Sequence, residues 1–408
     1  MNIDAQRWLD RWVGIPLCAA VSSFDALKNR GKPVSTEVSA PRAIVVILLS
    51  EMGSLVLAHD MFARLKSRYP DAQLHALLFG KNREILDLMA VIAPTNVHVV
   101  DDKSLPGLLR SLWKALTDLR RANIDVAIDC ELFSRISSLL SYASGASVRV
   151  GFHRHTQEGL YRGSHINRAV PYNPYQHISA QFLTLARAVD SVAVPKSKLP
   201  VMVQTKPPPH VRLDAALITN IEARMATDFP AIGGKPLVLV YPGGGILPIR
   251  AWPLASYTAL CEGLVADGCA VAVIGLKEDQ ALARELVASV RASAQNSSVI
   301  DLTGYTRSIA ELLALFHKAS LLVTNDGGPG QFAALTPIWT VMLFGPETPS
   351  LYAPLSPKCY SFYSQWPCSP CLTAYNHRSS FCDGDNQCLK VIAPEAVLAK
   401  ARECLASA

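Results

Sequence analysis
Residues 321–354, LLVTNDGGPGQFAALTPIWTVMLFGPETPSLYAP, leave few folds open. Leu321-Leu322-Val323 is an unbroken apolar run of the kind a parallel sheet buries on both faces. It ends in Thr324-Asn325-Asp326, and Gly327-Gly328-Pro329-Gly330 turns the chain at once. Residues 331–335 suit a helix, and after Pro337 a second apolar run, 341–344, ends in Gly345-Pro346. Strand, glycine turn, helix and strand make a βαβ unit. Such a turn suits an anion, because glycine lets the backbone approach a phosphate and the helix start offers unpaired N–H groups. Asp326 at the strand end can meet a sugar hydroxyl or an attacking group. The same pattern also serves as an ordinary βα turn in which the Asp is only a cap.

The rest of the chain alternates in the same way. Strands are expected at 43–49, 74–79, 97–100, 126–128 and 147–152, with helices at 55–69, 105–121 and 133–142 between them. That order implies a parallel doubly wound sheet, whose ligands bind beyond the carboxyl ends of the strands. Glu51, Asp129 and Glu131 would all lie on that edge. Further on, strand 236–241 runs into Pro242-Gly243-Gly244-Gly245, and Trp252-Pro253 opens a helix over 254–267. Three glycines between strand and helix suit N–H groups cradling a diphosphate, with Arg250 as a clamp. A strand at 271–274 leads to Gly275-Leu276-Lys277-Glu278. A chain of 408 residues suits two domains. A stiff connection over 196–211, containing Pro207-Pro208-Pro209, is the expected boundary, giving domains 41–200 and 201–408.

Half the residues are apolar and 18% are charged, which excludes a disordered chain. A net charge of +6 with no aromatic-basic motif excludes nucleic acid as the partner, and is compatible with an anionic membrane surface. In residues 1–40, Trp8, Trp12, Leu17, Val21, Phe24 and Leu27 recur at helical spacing. The uncharged run there is about a dozen residues, too short to span a bilayer. An amphipathic segment that packs on the body is expected, the alternative being one that lies on a membrane, and a linker follows over 31–41. Residues 152–164, with Arg154 and Arg162, are polar and basic: either a solvated loop or a holder of phosphates. Within the Cys-rich segment 366–390, Cys368, Cys371, Cys382 and Cys388 are spaced C-x2-C-x10-C-x5-C, with His377 beside them. A structural Zn or Fe ion, disulfides and reduced thiols are all open readings, although a reducing cytosol disfavours disulfides.

The glycine-turn stretch resembles the signature of glycosyltransferase family 9, the ADP-heptose:lipopolysaccharide heptosyltransferases. That pattern runs roughly T-N-D-S-G-P-M-H-L-A-A-A, then P, then a strand ending F-G-P-T. Asp326, Gly328, Pro329, Ala333, Ala334, Pro337, Phe344, Gly345 and Pro346 match it, whereas its Ser and His are Gly327 and Gln331 here. The first half is similar too, through RAIVVILLSEMGSLVLAHDMFARLKSRYPDA and IDVAIDCELFSRISSLLSYASGASVRVGF. The order is preserved from about residue 42 to 355. One departure is chemical. The family's Gly-Asp, whose Asp is its expected general base, is Gly53-Ser54 here.

The resemblance implies two Rossmann-like α/β domains facing a cleft, the GT-B arrangement. It implies an inverting transfer of heptose or a similar sugar from a nucleotide diphosphate sugar to lipopolysaccharide or another cell-envelope glycan. The donor is expected on the second domain. Its diphosphate would lie on Gly243, Gly244, Gly245 and Arg250, its ribose near Glu278, with Thr303 beside the nucleotide, and its sugar and β-phosphate near Asp326, Gly327 and Gly328. Arg154 and Arg162 would hold the acceptor's phosphates. With Ser54 unable to act as a base, Glu51 is the first replacement, then Asp129, then Glu131. The chemistry requires no cofactor. The protein is expected in the cytoplasm, with a peripheral contact to the inner face of the membrane. Two alternatives are a catalytically weak nucleotide-sugar-binding protein and a sugar-nucleotide epimerase or hydrolase of the same architecture.

Overall fold
The computed structural model describes residue 8 and residues 10–30, 40–49, 51–132, 134–153, 161–191, 205–294, 298–375 and 379–407. The chain forms two compact units. One runs to Lys206 and takes in Ala374 and Tyr375, and the other continues from Pro207. Arg154, His377 and most of the linker expected over 31–41 lie outside the described residues.

The first unit is built on six strands: β1 (Ala43–Ile47), β2 (Gln73–Phe79), β3 (Val97–Val100), β4 (Val126–Asp129), β5 (Val148–Phe152) and β6 (Arg168–Val170). Every pairing is parallel, in the order β3-β2-β1-β4-β5-β6. The winding reverses between β1 and β4, where Ile47 lies opposite Asp129. Such a switch point opens a crevice at the carboxyl ends of the two strands. All five residues of β1 are buried, as helices on both faces require.

The second unit repeats the winding with β7 (Leu237–Tyr241), β8 (Ala270–Gly275), β9 (Val299–Thr303), β10 (Leu321–Asn325), β11 (Trp339–Phe344) and β12 (Cys359–Tyr363). Their order is β12-β11-β10-β7-β8-β9, so its switch point lies between β7 and β10. Val238, Val240, Val323 and Val341 pack there against Tyr257, Leu260 and Leu264 of the helix Leu254–Ala266 and Val397 of the helix Pro394–Ala406. Each such fully buried aliphatic side chain is worth about 1.5–3 kcal/mol relative to exposure.

Two expectations change. The helix expected over 55–69 starts earlier and comes in two pieces, Met52–Leu57 and His59–Arg68. Gly53-Ser54 is therefore the first turn of a helix rather than an open loop, and Glu51 immediately precedes it. The N-terminal segment is helical over Gly14–Lys28, but the face expected to pack is turned outward. Trp8, Trp12, Leu17, Phe24 and Leu27 are exposed, and the buried positions are Gly14, Cys18 and Ser22. Polar anchoring rather than apolar packing decides its orientation: Asp10 pairs with Arg135 at 3.1 Å and Asp25 with Arg149 at 3.1 Å.

Candidate functional site
At the second switch point the loop after β7 meets the ends of β10 and β11. The side chain of Asn325 ties them together. Its Nδ2 donates to the carbonyls of Pro242 and Gly243, both at 3.0 Å. Its Oδ1 accepts the Trp252 backbone N–H at 3.0 Å and lies 2.9 Å from the Tyr257 hydroxyl. The glycines that follow are required by geometry. A Cβ on Gly244 would come within 2.7 Å of the Leu247 carbonyl oxygen, and Gly245 has φ of +61°.

Arg250 sits in the short turn Pro248–Arg250 directly behind this loop. Its Nη2 donates to Glu347 Oε2 at 2.5 Å, and its Nε lies 3.6 Å from Asp326 Oδ2. All three side chains are largely buried, and Arg250 Nε is a buried donor with no hydrogen-bond acceptor among the described residues. A guanidinium held against two carboxylates, with a donor still unsatisfied, is poised to exchange one anionic partner for another. Glu347 is the residue that sequence reasoning missed. The available signal was its place: it follows Gly345-Pro346 at the end of β11, much as Asp326 ends β10.

The other expected donor residues lie on the same edge of this sheet. Glu278 is exposed in the turn Lys277–Asp279 after β8. Thr303 ends β9, where its hydroxyl donates to Asp301 Oδ1 at 2.6 Å, and the Gly304 N–H reaches the Gly275 carbonyl at 2.8 Å. Gly327 is extended and precedes the short helix Gly328–Ala333. Gln331 is buried and donates to the Tyr352 carbonyl at 2.7 Å, so it supports the loop from inside.

The first switch point brings Glu51, Asp129 and Glu131 to the ends of β1 and β4, with different environments. Glu51 is half-buried. It does not cap the helix Met52–Leu57 with its side chain, and its Oε2 accepts the Ser54 hydroxyl at 2.7 Å. Glu131 is also half-buried, and its Oε1 accepts the Leu49 N–H at 2.6 Å, locking the two strand ends together.

Asp129 is fully buried and cannot face a substrate. It pairs with Arg162 and accepts the Ser137 hydroxyl at 3.0 Å and the Glu131 N–H at 3.1 Å. Burial pushes its carboxyl up to about 6, against the pull of Arg162. Arg162 is corrected with it. The guanidinium is fully enclosed and donates to the carbonyls of Glu131 at 2.9 Å, Phe152 at 2.8 Å and Ser134 at 2.9 Å, besides Asp129 and Ser137. No donor is left for an acceptor phosphate. A basic residue in a polar stretch reads as surface, and nothing local in the sequence signals a core ion pair.

The ten cysteines are free thiols. Cys388 is pushed up to about 11, by burial first and then by its neighbours Cys371, Cys368 and Cys382, so the four share one neighbourhood. Among the described residues no three His, Cys, Asp or Glu side chains are arranged to hold a metal.

The profile of glycosyltransferase family 9 (heptosyltransferase) matches residues 109–380. The chain belongs to this family. It is a glycosyltransferase. Lipooligosaccharide heptosyltransferase 2 of Haemophilus ducreyi is 26% identical over 317 residues, 77% of this chain and 86% of the relative. Among solved structures, an E. coli ADP-heptose lps heptosyltransferase II has a TM-score of 0.67 at 21% identity, covering 90% of this chain and 99% of its own. The E. coli heptosyltransferase WaaC, solved with ADP, has a TM-score of 0.61 at 16% identity and covers 89% of this chain and 99% of its own. The fold is therefore shared with these family 9 enzymes. The structure sets Ser54, which the sequence pattern places at the family's Asp position, against the carboxylate of Glu51.

Proposed function
We propose that this glycosyltransferase moves heptose, or a closely similar sugar, from an ADP-heptose-like donor to a lipopolysaccharide or related cell-envelope glycan, with inversion at the anomeric carbon. The observation that carries this reading is Arg250, whose Nε is unsatisfied beside the Gly243–Gly245 turn at the β7/β10 switch point. The relatives, ADP-heptose and lipopolysaccharide or lipooligosaccharide heptosyltransferases, support the donor and acceptor classes.

In the proposed reaction an acceptor hydroxyl attacks the anomeric carbon in line with the departing nucleotide diphosphate. Glu51 takes the hydroxyl proton as the new glycosidic bond forms. The bond to the diphosphate oxygen breaks, and its charge is met by the N–H groups of the glycine turn and by Arg250, which exchanges Glu347 for phosphate. Glu278 and Thr303 hold the ribose side of the nucleotide, and Asp326, Gly327 and Gly328 border the sugar. Glu51 is preferred to Glu131 because Glu131 is committed to the Leu49 N–H, and to Asp129 because Asp129 is enclosed. The chemistry requires no cofactor. A structural Zn or Fe ion on Cys368, Cys371, Cys382 and Cys388 is a separate proposal, which requires the four thiols to draw together and predicts about one metal equivalent in purified protein. The enzyme would work in the cytoplasm, at the inner face of the membrane.

A thermal-shift screen of nucleotide sugars tests the donor without knowledge of the acceptor. ADP-heptose should raise the melting temperature more than UDP- or GDP-sugars do. Stabilisation by none of them would remove the reading.

A further inference from the structure
The helix Gly14–Lys28 is attached to the first unit back to front. Its inward stripe is small and polar. Gly14 lies so close to Arg135 that a Cβ would meet that side chain at 2.8 Å. The Cys18 thiol donates to the Arg135 carbonyl at 3.8 Å, and Ser22 Oγ lies 3.2 Å from His165 Nδ1. Asp10 and Asp25, at the two ends of the stripe, are ion-paired with Arg135 and Arg149. Among the described residues the large apolar side chains face the other way, Val21 being half-buried. Trp8 and Trp12 are each 60% exposed, Phe24 60% and Leu27 67%, with Ile15 and Leu17 between them.

An outward apolar face of this kind normally costs solubility unless it has an occupant. The charges identify which. Among the described residues between 8 and 30 the two carboxylates, Asp10 and Asp25, are spent on the body, and the remaining charged residues are Arg11, Lys28 and Arg30, all exposed cations. Tryptophans with a cationic border are the composition of a segment lying in the headgroup region of a membrane. Fifteen residues of helix extend about 22 Å, enough to lie along a surface. No described helix is long and apolar enough to cross a membrane.

We propose that the outer surface of the N-terminal segment, the helix Gly14–Lys28 together with the flanking Trp8, Arg11, Trp12 and Arg30, docks the enzyme on an anionic phospholipid bilayer, with Trp8, Trp12, Phe24 and Leu27 as its apolar contacts and Arg11, Lys28 and Arg30 as its cations. This deepens the reading above, in which the acceptor is an envelope glycolipid, by naming the surface that holds the enzyme at the membrane. The substitutions needed to test it are all at exposed positions and should leave the fold intact.

Sedimentation of the full chain with vesicles of phosphatidylcholine, alone or containing phosphatidylglycerol, measures docking without donor or acceptor. The wild-type protein should pellet with the phosphatidylglycerol vesicles. Trp12→Glu/Phe24→Glu and Arg11→Glu/Lys28→Glu should each weaken that partitioning by about tenfold or more at unchanged melting temperature. Transfer to a water-soluble acceptor fragment should be unchanged in both variants, and a failure there alone would count against the transferase reading instead. Wild-type protein that stays in the supernatant, or variants that pellet equally well, would overturn the docking proposal. So would a solution dimer that Trp12→Glu/Phe24→Glu splits, since the face would then belong to a second copy.

Discussion

The hydroxyl of Ser54 donates to Glu51 Oε2 across 2.7 Å, one turn apart at the start of the helix Met52–Leu57. The serine expected at the place of the family's aspartate thus bonds to the neighbouring carboxylate. That bond holds the Glu51 carboxylate in place at the start of the helix. Ser54→Ala should lower kcat and leave donor affinity unchanged. An unchanged kcat would show that the bond does not bear on catalysis.

Arg250 and Glu347 make a paired prediction. Arg250→Ala should weaken nucleotide-diphosphate binding by about 1.5–3 kcal/mol, the worth of a charge-assisted hydrogen bond. Glu347→Gln removes the carboxylate that competes with phosphate for the guanidinium, and should tighten binding. Calorimetry with ADP reads both. Equal affinities in all three proteins would show that the diphosphate lies elsewhere.

Asp129 and Arg162 should behave as core residues. Breaking a buried pair from one side typically costs about 3–5 kcal/mol, because the remaining charge is stranded. Arg162→Met should therefore lower the denaturation midpoint sharply. The KM of a phosphorylated acceptor should not change beyond what lost folded protein explains.

The acid limb of stability has a defined sign. Burial lowers His98 to about 4, with His75 adding repulsion, and burial lowers His165 to about 4 as well. Both are depressed relative to an ordinary histidine near 6.5, so the unfolded chain takes up protons first as the pH falls. Stability should be full above about 6.5 and decline from there toward 4, partly offset by Asp129, whose raised carboxyl acts in the opposite direction. His98→Gln should flatten the decline in melting temperature between pH 7 and 5. A slope identical to wild type would remove His98 as a contributor.

The central strands were legible because a parallel strand buried on both faces is an apolar run, as in 43–47 and 321–323. β12, Cys359–Tyr363, was missed because it is a half-exposed edge strand without that run. The glycine turn after β7 was legible for the same reason as the strands: glycines with backbone duties follow directly on β7. The surroundings of Arg162 were not. Whether Arg162 faces water or a carboxylate 33 residues away depends on tertiary pairing, and no local pattern encodes it. The N-terminal helix fails differently. Its apolar spacing was read correctly, but burial followed from Asp10 and Asp25 finding arginines in the body.

Turnover of ADP-heptose with a truncated lipopolysaccharide core acceptor, followed as ADP release in wild type and Glu51→Gln, tests the account most directly. The glutamine keeps the size of the side chain and removes its ability to take a proton. General-base loss typically costs about 10²–10⁴-fold in rate. The account predicts that kcat falls at least about a hundredfold while ADP-heptose affinity and melting temperature stay within error of wild type. A Glu51→Gln enzyme that turns over at the wild-type rate would contradict it.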